Sequence, residues 1–205
     1  MRCARAWLVL FAIASQCAHA GGGPFGIDHE LALDQSGIWA RRYQTDLELA
    51  VIATTAGGAL WLGNDDELGH VFWQTFDATA ISGIAATGLK RVFSRARPDQ
   101  GNDPNAWFQG SCCESFPSGE VTLQASFVTP FIVHYGSSHP WVWALELLPL
   151  YDSIARMKSQ AHWQSDVIAG WALGTAVGYW STTWKTPLTV RILPRGLSIG
   201  LSKRF

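Results

Sequence analysis

The sequence predicts an all-α helical bundle in a single domain, and three observations carry that prediction. Past residue 20 the chain holds five apolar stretches, 47–62, 71–93, 120–135, 140–155 and 163–184, and most contain small residues without strict alternation of apolar and polar positions. At 205 residues, 48% of them hydrophobic, the chain is long enough to bury one substantial core. Clear alternation is confined to the end, at 188–193 and 197–201 around "PRG", where it reads as a short C-terminal β-hairpin.

Taken in order, residues 1–20 pair Arg2 and Arg5 with an apolar run from Ala6 to Ala14 and close on Ala18-His19-Ala20, the pattern of an export signal peptide. Residues 21–34 open with "GGGPFGIDHE", a Gly/Pro-rich flexible leader expected to lack fixed structure until about Leu31. A short helix around 35–44 is expected before the five stretches, so the helical domain spans 35–186 and the hairpin or tail 187–205.

A formal net charge of −1 advertises no nucleic-acid partner, so any anion site must be local. Eleven tryptophans, one of them in the signal, and the uncharged run 167–184 favour a membrane-associated bundle, with a soluble periplasmic form as the alternative. Against spanning, 47–62 carries Glu48, 71–93 carries Gln74 and Asp77, and 120–135 carries Gln124 and His134. Cys112 and Cys113 are adjacent and fit no common metal spacing; a vicinal disulfide, pairing between chains and free thiols are all open.

Three segments carry chemistry. In "KRVFSRARP", Lys90 and Arg97 lie seven apart, nearly on one helical face, before Pro98 stops the helix. Alone, this is an ordinary basic helix end. In "ESFPSGEVTLQ", Ser118 is an N-cap candidate, and the amides of Gly119, Glu120 and Val121 are free donors at a helix start. Such an end binds phosphate, although a plain capped helix is commoner. In "ARMKSQAHWQSD", Arg156 is followed by His162 and, one helical turn later, Asp166, a spacing at which a carboxylate can orient an imidazole.

Together the three segments have the order and internal spacing of a known signature. Lys90, six residues, Arg97-Pro98; Pro117-Ser118-Gly119; Arg156, five residues, His162, three residues, Asp166: the array resembles the type 2 phosphatidic acid phosphatase (PAP2) superfamily, which includes lipid phosphatases, bacterial acid phosphatases and vanadium haloperoxidases. The resemblance implies a phosphate held by Lys90, Arg97, Ser118, the amide of Gly119 and Arg156. His162 would attack phosphorus and form a phosphohistidine, with Asp166 orienting its ring and no metal or cofactor required. Two arginines and a lysine suit the spread charge of phosphoryl transfer.

Two positions depart from the pattern: Ala155 precedes Arg156 where the family usually has serine, and Glu120 stands where a histidine normally protonates the departing oxygen. Beside a bound phosphate, the negative environment should raise the pKa of Glu120 and favour its protonated form. Glu120 is expected to be either a substitute general acid or a mark of preference for good leaving groups, such as those of diphosphates.

The resemblance thus implies a phosphatase of a bacterial cell envelope, membrane-associated or periplasmic, acting on a phosphorylated lipid or small phosphoester. Lipid phosphates and polyprenyl diphosphates are the favoured substrates. The alternatives are a soluble broad-specificity acid phosphatase, a non-catalytic phosphate- or lipid-binding member of the fold and, least favoured, a vanadium haloperoxidase. Elsewhere, "GNDDELGH" (63–70) reads as a solvated interhelical turn, and Trp107 and Phe108 as either a lip for a lipid chain or loop aromatics packed on the bundle. Asp77 is expected to be hydrogen-bonded within the bundle, while His29, His70, His134 and His139 show no matched partners.

Overall fold

In the computed structural model, residues 21–64 and 66–183 are described, together with the backbone of 188–193 and 196–201. The predicted signal lies outside the described residues. The helices are α1 (Arg41–Leu62), α2 (Glu67–Phe93), α3 (Gly119–Tyr135), α4 (Leu147–Lys158) and α5 (Gln164–Thr182). Strands β1 (Leu188–Leu193) and β2 (Gly196–Leu201) pair antiparallel, with Val190 opposite Ile199, where alternation placed a hairpin.

Two boundaries differ from expectation, each for a local reason. The helix expected around 35–44 is a single 3-10 turn, Gly37–Trp39, because Ala40 is extended (φ −63°, ψ 136°) and α1 begins only at Arg41. The apolar count thus missed the polar first turn of α1, which carries Arg41 and Gln44. The stretch 140–155 divides into a 3-10 segment, Pro140–Glu146, and α4. Pro149 lacks the amide that would bond residue 145, so one α-helical ladder cannot run through.

The turn between α1 and α2 uses its polar residues to cap helices. Gly63, at φ 71°, closes α1, and the Asp66 side chain accepts the Gly69 amide at 2.6 Å to open α2. The histidines beyond it are not partnerless. His70 Nδ1 meets Asn64 Oδ1 at 2.8 Å, its Nε2 meets Gln74 Nε2 at 3.0 Å, and Gln74 Oε1 meets His134 Nε2 at 2.8 Å. This polar chain ties α2 to α3 and satisfies a glutamine that is 2% exposed.

Helix α3 is the central element, packed against α2 and α5. Its apolar half meets α1 and the 3-10 segment through Val51, Phe127, Val128, Ile132 and Val142. Its other face meets Gly170, Gly174 and Gly178 of α5. A Cβ at Gly170 would lie 2.6 Å from the Ser118 carbonyl oxygen, one at Gly178 2.7 Å from Thr129 Cβ, and one at Gly174 would collide with the Thr122 carbonyl. Glycine at every fourth position therefore lets the two backbones approach closely.

The leader does not lack fixed structure. Gly22 and Asp28 form an antiparallel bridge, the Asp34 amide donates to the Lys158 carbonyl at 3.0 Å, and Asp28 is 1% exposed. A buried ion pair, described below, holds Asp28 in place. No described helix is long and apolar enough to cross a membrane. A cavity of about 620 Å³ between α1, α2 and α3 is lined by Ile52, Phe76, Ile84 and Leu123, with Arg91 among its few charged neighbours.

Candidate active site

The site forms where the C-terminal end of α2 and the N-terminal ends of α1, α3 and α5 meet the last turns of α4. Helix α2 stops at Ser94, which adopts the left-handed conformation and donates its amide to the Lys90 carbonyl. The irregular segment that follows carries two arginines to different environments. Arg97 lies half-buried beside Lys90, whereas Arg95 turns inward and is fully buried.

Lys90 donates to the Glu114 carbonyl at 2.5 Å, and its stem lies over Gly119, where an added Cβ would sit 3.5 Å from Lys90 Cε. The first and second motifs are thereby in contact. Burial, with the nearby Arg97 cation adding to it, pushes the Lys90 ammonium down to about 8.

Ser118 sits at the N-cap of α3 but does not cap it. Its amide donates to the Asp166 carbonyl at 3.0 Å, while its hydroxyl, buried, has no hydrogen-bond partner. Unpaired buried hydroxyls are rare, because each one forgoes the hydrogen bonds it would make to water. Arg156, also buried, donates from Nη1 to Gln44 Oε1 at 3.1 Å, while its Nε makes no hydrogen bond and lies 3.8 Å from Glu120 Oε2. Donors from two motifs are thus left unused in one place.

His162 is buried, with Nδ1 at 2.7 Å from the Ser115 carbonyl. That oxygen can only accept, so Nδ1 carries the proton and Nε2 keeps its lone pair. Burial pushes the imidazole down to about 4, helped by the Lys90 and Arg156 cations, so the ring is neutral at pH 7. Asp166 was expected to orient this ring directly. Its Oδ2 is instead 3.8 Å from Nδ1, too far for a hydrogen bond. Asp166 works at one remove: it accepts from Ser115 Oγ at 2.5 Å and from the Trp163 amide at 2.8 Å, holding both the segment whose carbonyl meets the imidazole and the residue that follows His162.

Arg95 anchors this arrangement. Nη1 lies 2.6 Å from Asp166 Oδ1, Nη2 lies 2.6 Å from Asp28 Oδ2, and the Pro104 carbonyl takes further bonds. Trp107 stacks over its guanidinium at 4.3 Å and packs against Phe93 and Phe116, so this aromatic belongs to the bundle, whereas Phe108 is exposed. Burial opposes a charged Asp166, but His162, Arg95 and Ser115 together hold its carboxyl below the usual range. Sequence reasoning missed Arg95 and Asp28, whose pairing joins positions 67 apart and leaves no local signal.

Glu120 faces two arginines. Although burial works against its charged form, the Arg41 hydrogen bond at 2.6 Å, with Arg156 Nε at 3.8 Å, lowers its pKa. Glu120 is therefore ionised at rest, whereas the expected protonated state belongs to a site holding phosphate. Gln44 accepts from both Arg41 (3.2 Å) and Arg156 (3.1 Å), tying α1 to the site. In the loop before Ser115, Cys112 and Cys113 form a vicinal disulfide.

Lys90, Arg97, Ser118, Gly119, Glu120, Arg156, His162 and Asp166 are therefore brought to one end of the molecule, and fold and site together define a helical-bundle protein with a cationic cradle around a neutral imidazole. The chain belongs to the PAP2 superfamily, whose family model matches residues 72–189. It is 33% identical over 105 residues to a lipid A 1-phosphatase of Porphyromonas gingivalis, covering 49% of this chain and 21% of that protein. A lipid A 1-phosphatase of Rhizobium johnstonii is 36% identical over 113 residues, 51% of this chain and 45% of that one. The chain thus spans less than half the length of these curated relatives. The fold is similar to the crystal structure of Aquifex aeolicus LpxE (TM-score 0.52, 16% identity, 70% of this chain and 85% of that chain). It also resembles a transmembrane PAP2 type phosphatidylglycerolphosphate phosphatase from Bacillus subtilis (TM-score 0.50, 16% identity, 72% and 77%).

Proposed function

We propose that the protein is a lipid phosphatase of the bacterial envelope that cleaves phosphate from a lipid through a phosphohistidine at His162. The observation that carries this reading is a buried, neutral imidazole set among Lys90 and Arg156, beside a buried Ser118 hydroxyl with no partner. A tetrahedral oxyanion supplies the acceptors these groups lack, and the cations counter the charge that builds on its equatorial oxygens. Lone-pair attack by Nε2 breaks the bond from phosphorus to the leaving oxygen, and water then hydrolyses the phosphorus–nitrogen bond. Through Ser115, Asp166 stabilises the proton-bearing ring as it gains charge.

The lipid part of the reading rests on the curated relatives and on the apolar cavity. The cavity lies between α1, α2 and α3, helices that also carry Arg41, Lys90 and Glu120. Glu120, ionised at rest, favours leaving groups that demand little protonation. Sugar 1-phosphates, which leave as hemiacetal oxygens, and diphosphates both qualify, and a lipid A-type glycolipid 1-phosphate is the first substrate to try.

The test is phosphate release by the full chain from a panel of glycolipid 1-phosphate, polyprenyl diphosphate, phosphatidic acid and a soluble aryl phosphate, with His162→Ala as control. Turnover of the lipid substrates, lost in the variant, is the expected result. Phosphate binding without turnover of any substrate would instead make the protein a non-catalytic binder, a reading that the Glu120–Arg156 pair favours.

A further inference from the structure

Asp28 enters the core from the N-terminal leader, and its contacts leave the carboxylate one position. Its Oδ1 accepts the Ser165 amide at 2.7 Å, while Oδ2 accepts the Ser165 hydroxyl at 2.7 Å and Arg95 Nη2 at 2.6 Å. The leader around it is held as well: Gly22 bridges Asp28 through the main chain, and the Gln164 side chain bonds the His29 amide at 3.0 Å and the His29 carbonyl at 2.9 Å. Gly23 turns over the carboxylate at φ 69°, where a Cβ would collide with Asp28 Oδ2.

An unbroken chain of bonds runs from this carboxylate to the imidazole. Arg95 Nη1 meets Asp166 Oδ1 at 2.6 Å, Asp166 Oδ2 accepts the Ser115 hydroxyl, and the Ser115 carbonyl accepts from His162 Nδ1 at 2.7 Å. Asp166 Oδ2 also stands 3.8 Å from that nitrogen. A guanidinium bonded to Asp166 alone would form a neutral pair and cancel the negative charge that a cationic phosphohistidine ring draws on. Asp28 prevents the cancellation. Two carboxylates share one cation, all three side chains are wholly buried, and one net negative charge stays beside the imidazole.

We propose that Asp28 is a positioning residue for phosphoryl transfer: the leader's carboxylate takes a share of the Arg95 cation, so that Asp166 keeps its charge for the His162 ring. The proposal rests on the phosphatase reading above. As Nε2 bonds to phosphorus and the bond to the leaving oxygen breaks, the ring retains its Nδ1 proton and gains one positive charge. That charge is lost again when water attacks phosphorus and the phosphorus–nitrogen bond breaks. Asp28 touches neither substrate nor ring and acts through Arg95 and Asp166. An amide cannot take its place, because donors of Ser165 and Arg95 meet both oxygens. In Asp28→Asn, either orientation of the amide sets its NH2 against a donor.

The experiment compares the full chain, Asp28→Asn and the double variant Asp28→Asn/Arg95→Gln on an aryl phosphate. Asp28→Asn should lower kcat about tenfold, with inhibition by inorganic phosphate within about twofold of the parent's. The double variant removes carboxylate and cation together, leaves Asp166 as the charge of the cluster, and should recover about fivefold of that loss. Nitrogen-15 NMR of the His162 ring reads the same charge without turnover. Lys90 and Arg156 act on the ring with positive charge, Glu120 and Asp166 with negative, and it protonates at about 4. Asp28→Asn should move this midpoint lower still, because a carboxylate is lost while the cation stays, and the double variant should restore it. A merely structural role predicts the opposite sign, since loosened packing admits water and raises the midpoint towards about 6.5. A raised or unchanged midpoint, an unchanged kcat, or a double variant no faster than the single one overturns the proposal. Where Asp28→Asn does not fold, the double variant decides: a kcat more than about tenfold below the parent's overturns it. No turnover of any ester by the parent overturns the phosphatase reading and this proposal with it, whereas turnover with an unmoved midpoint overturns this proposal alone.

Discussion

Arg95 and Asp166, 71 positions apart in sequence, meet at 2.6 Å with both side chains wholly buried, and Asp28 closes on the same guanidinium from the other side. Two carboxylates and one forked cation form a triad in which each member depends on the others. Removing the cation leaves two negative groups buried together. Arg95→Ala should therefore cost about 3–5 kcal/mol in urea unfolding, the range for breaking a buried pair. Arg95→Lys should recover only part of this, because an ammonium cannot serve both carboxylates with a planar fork. A loss under about 1 kcal/mol for the alanine variant would show that the triad is not a structural keystone.

Lys90 provides a pH-dependent test of the cradle. Its pKa in the free protein is depressed to about 8, so the cation is complete below that value and disappears as pH rises through it. If the ammonium binds phosphate, kcat/KM should be flat towards pH 7 and fall about tenfold per unit well above pH 8, since this ratio reports the free enzyme. Lys90→Arg should abolish the fall, because a guanidinium stays charged throughout. A profile that descends at the same pH in Lys90→Arg would assign the limb to another group.

Ser118 separates binding from stability. Its hydroxyl has no partner in the folded protein, so Ser118→Ala should leave urea unfolding within about 0.5 kcal/mol of the parent or slightly more stable. Inhibition by inorganic phosphate should weaken by about 10- to 100-fold, as expected for one hydrogen bond to a charged group. An unchanged inhibition constant would place the anion elsewhere.

Much of this was legible in the sequence because it depends on local pattern. The helices follow from apolar stretches, and Lys90, Ser118, Arg156 and His162 from fixed spacings within short segments. What was not legible depends on groups without a sequence signature or on distant pairing. The acceptor that sets the His162 tautomer is the main-chain carbonyl of Ser115, and every residue has a carbonyl. The ionised state of Glu120 requires Arg41, 79 positions away, in the polar turn that opens α1 and that a search for apolar runs passes over. Glycine and proline dominate the leader and predict no fixed structure, yet Asp28 in a buried ion pair and main-chain bonds such as Asp34 to Lys158 tie it to the core. Polar residues that stabilise one another across the fold gave little local indication of their pairing.

The glycine seam between α3 and α5 determines what can vary in this protein. One helix carries Ser118 and Glu120, the other Asp166, and only hydrogen atoms at 170, 174 and 178 separate their backbones over much of their length. Any larger residue there would pry Asp166 away from the Ser118 end of α3. The spacing between these two helix ends is thus a fixed gauge, and under the phosphatase reading divergence in substrate would come from the surrounding walls and rim, where side chains can change without moving it.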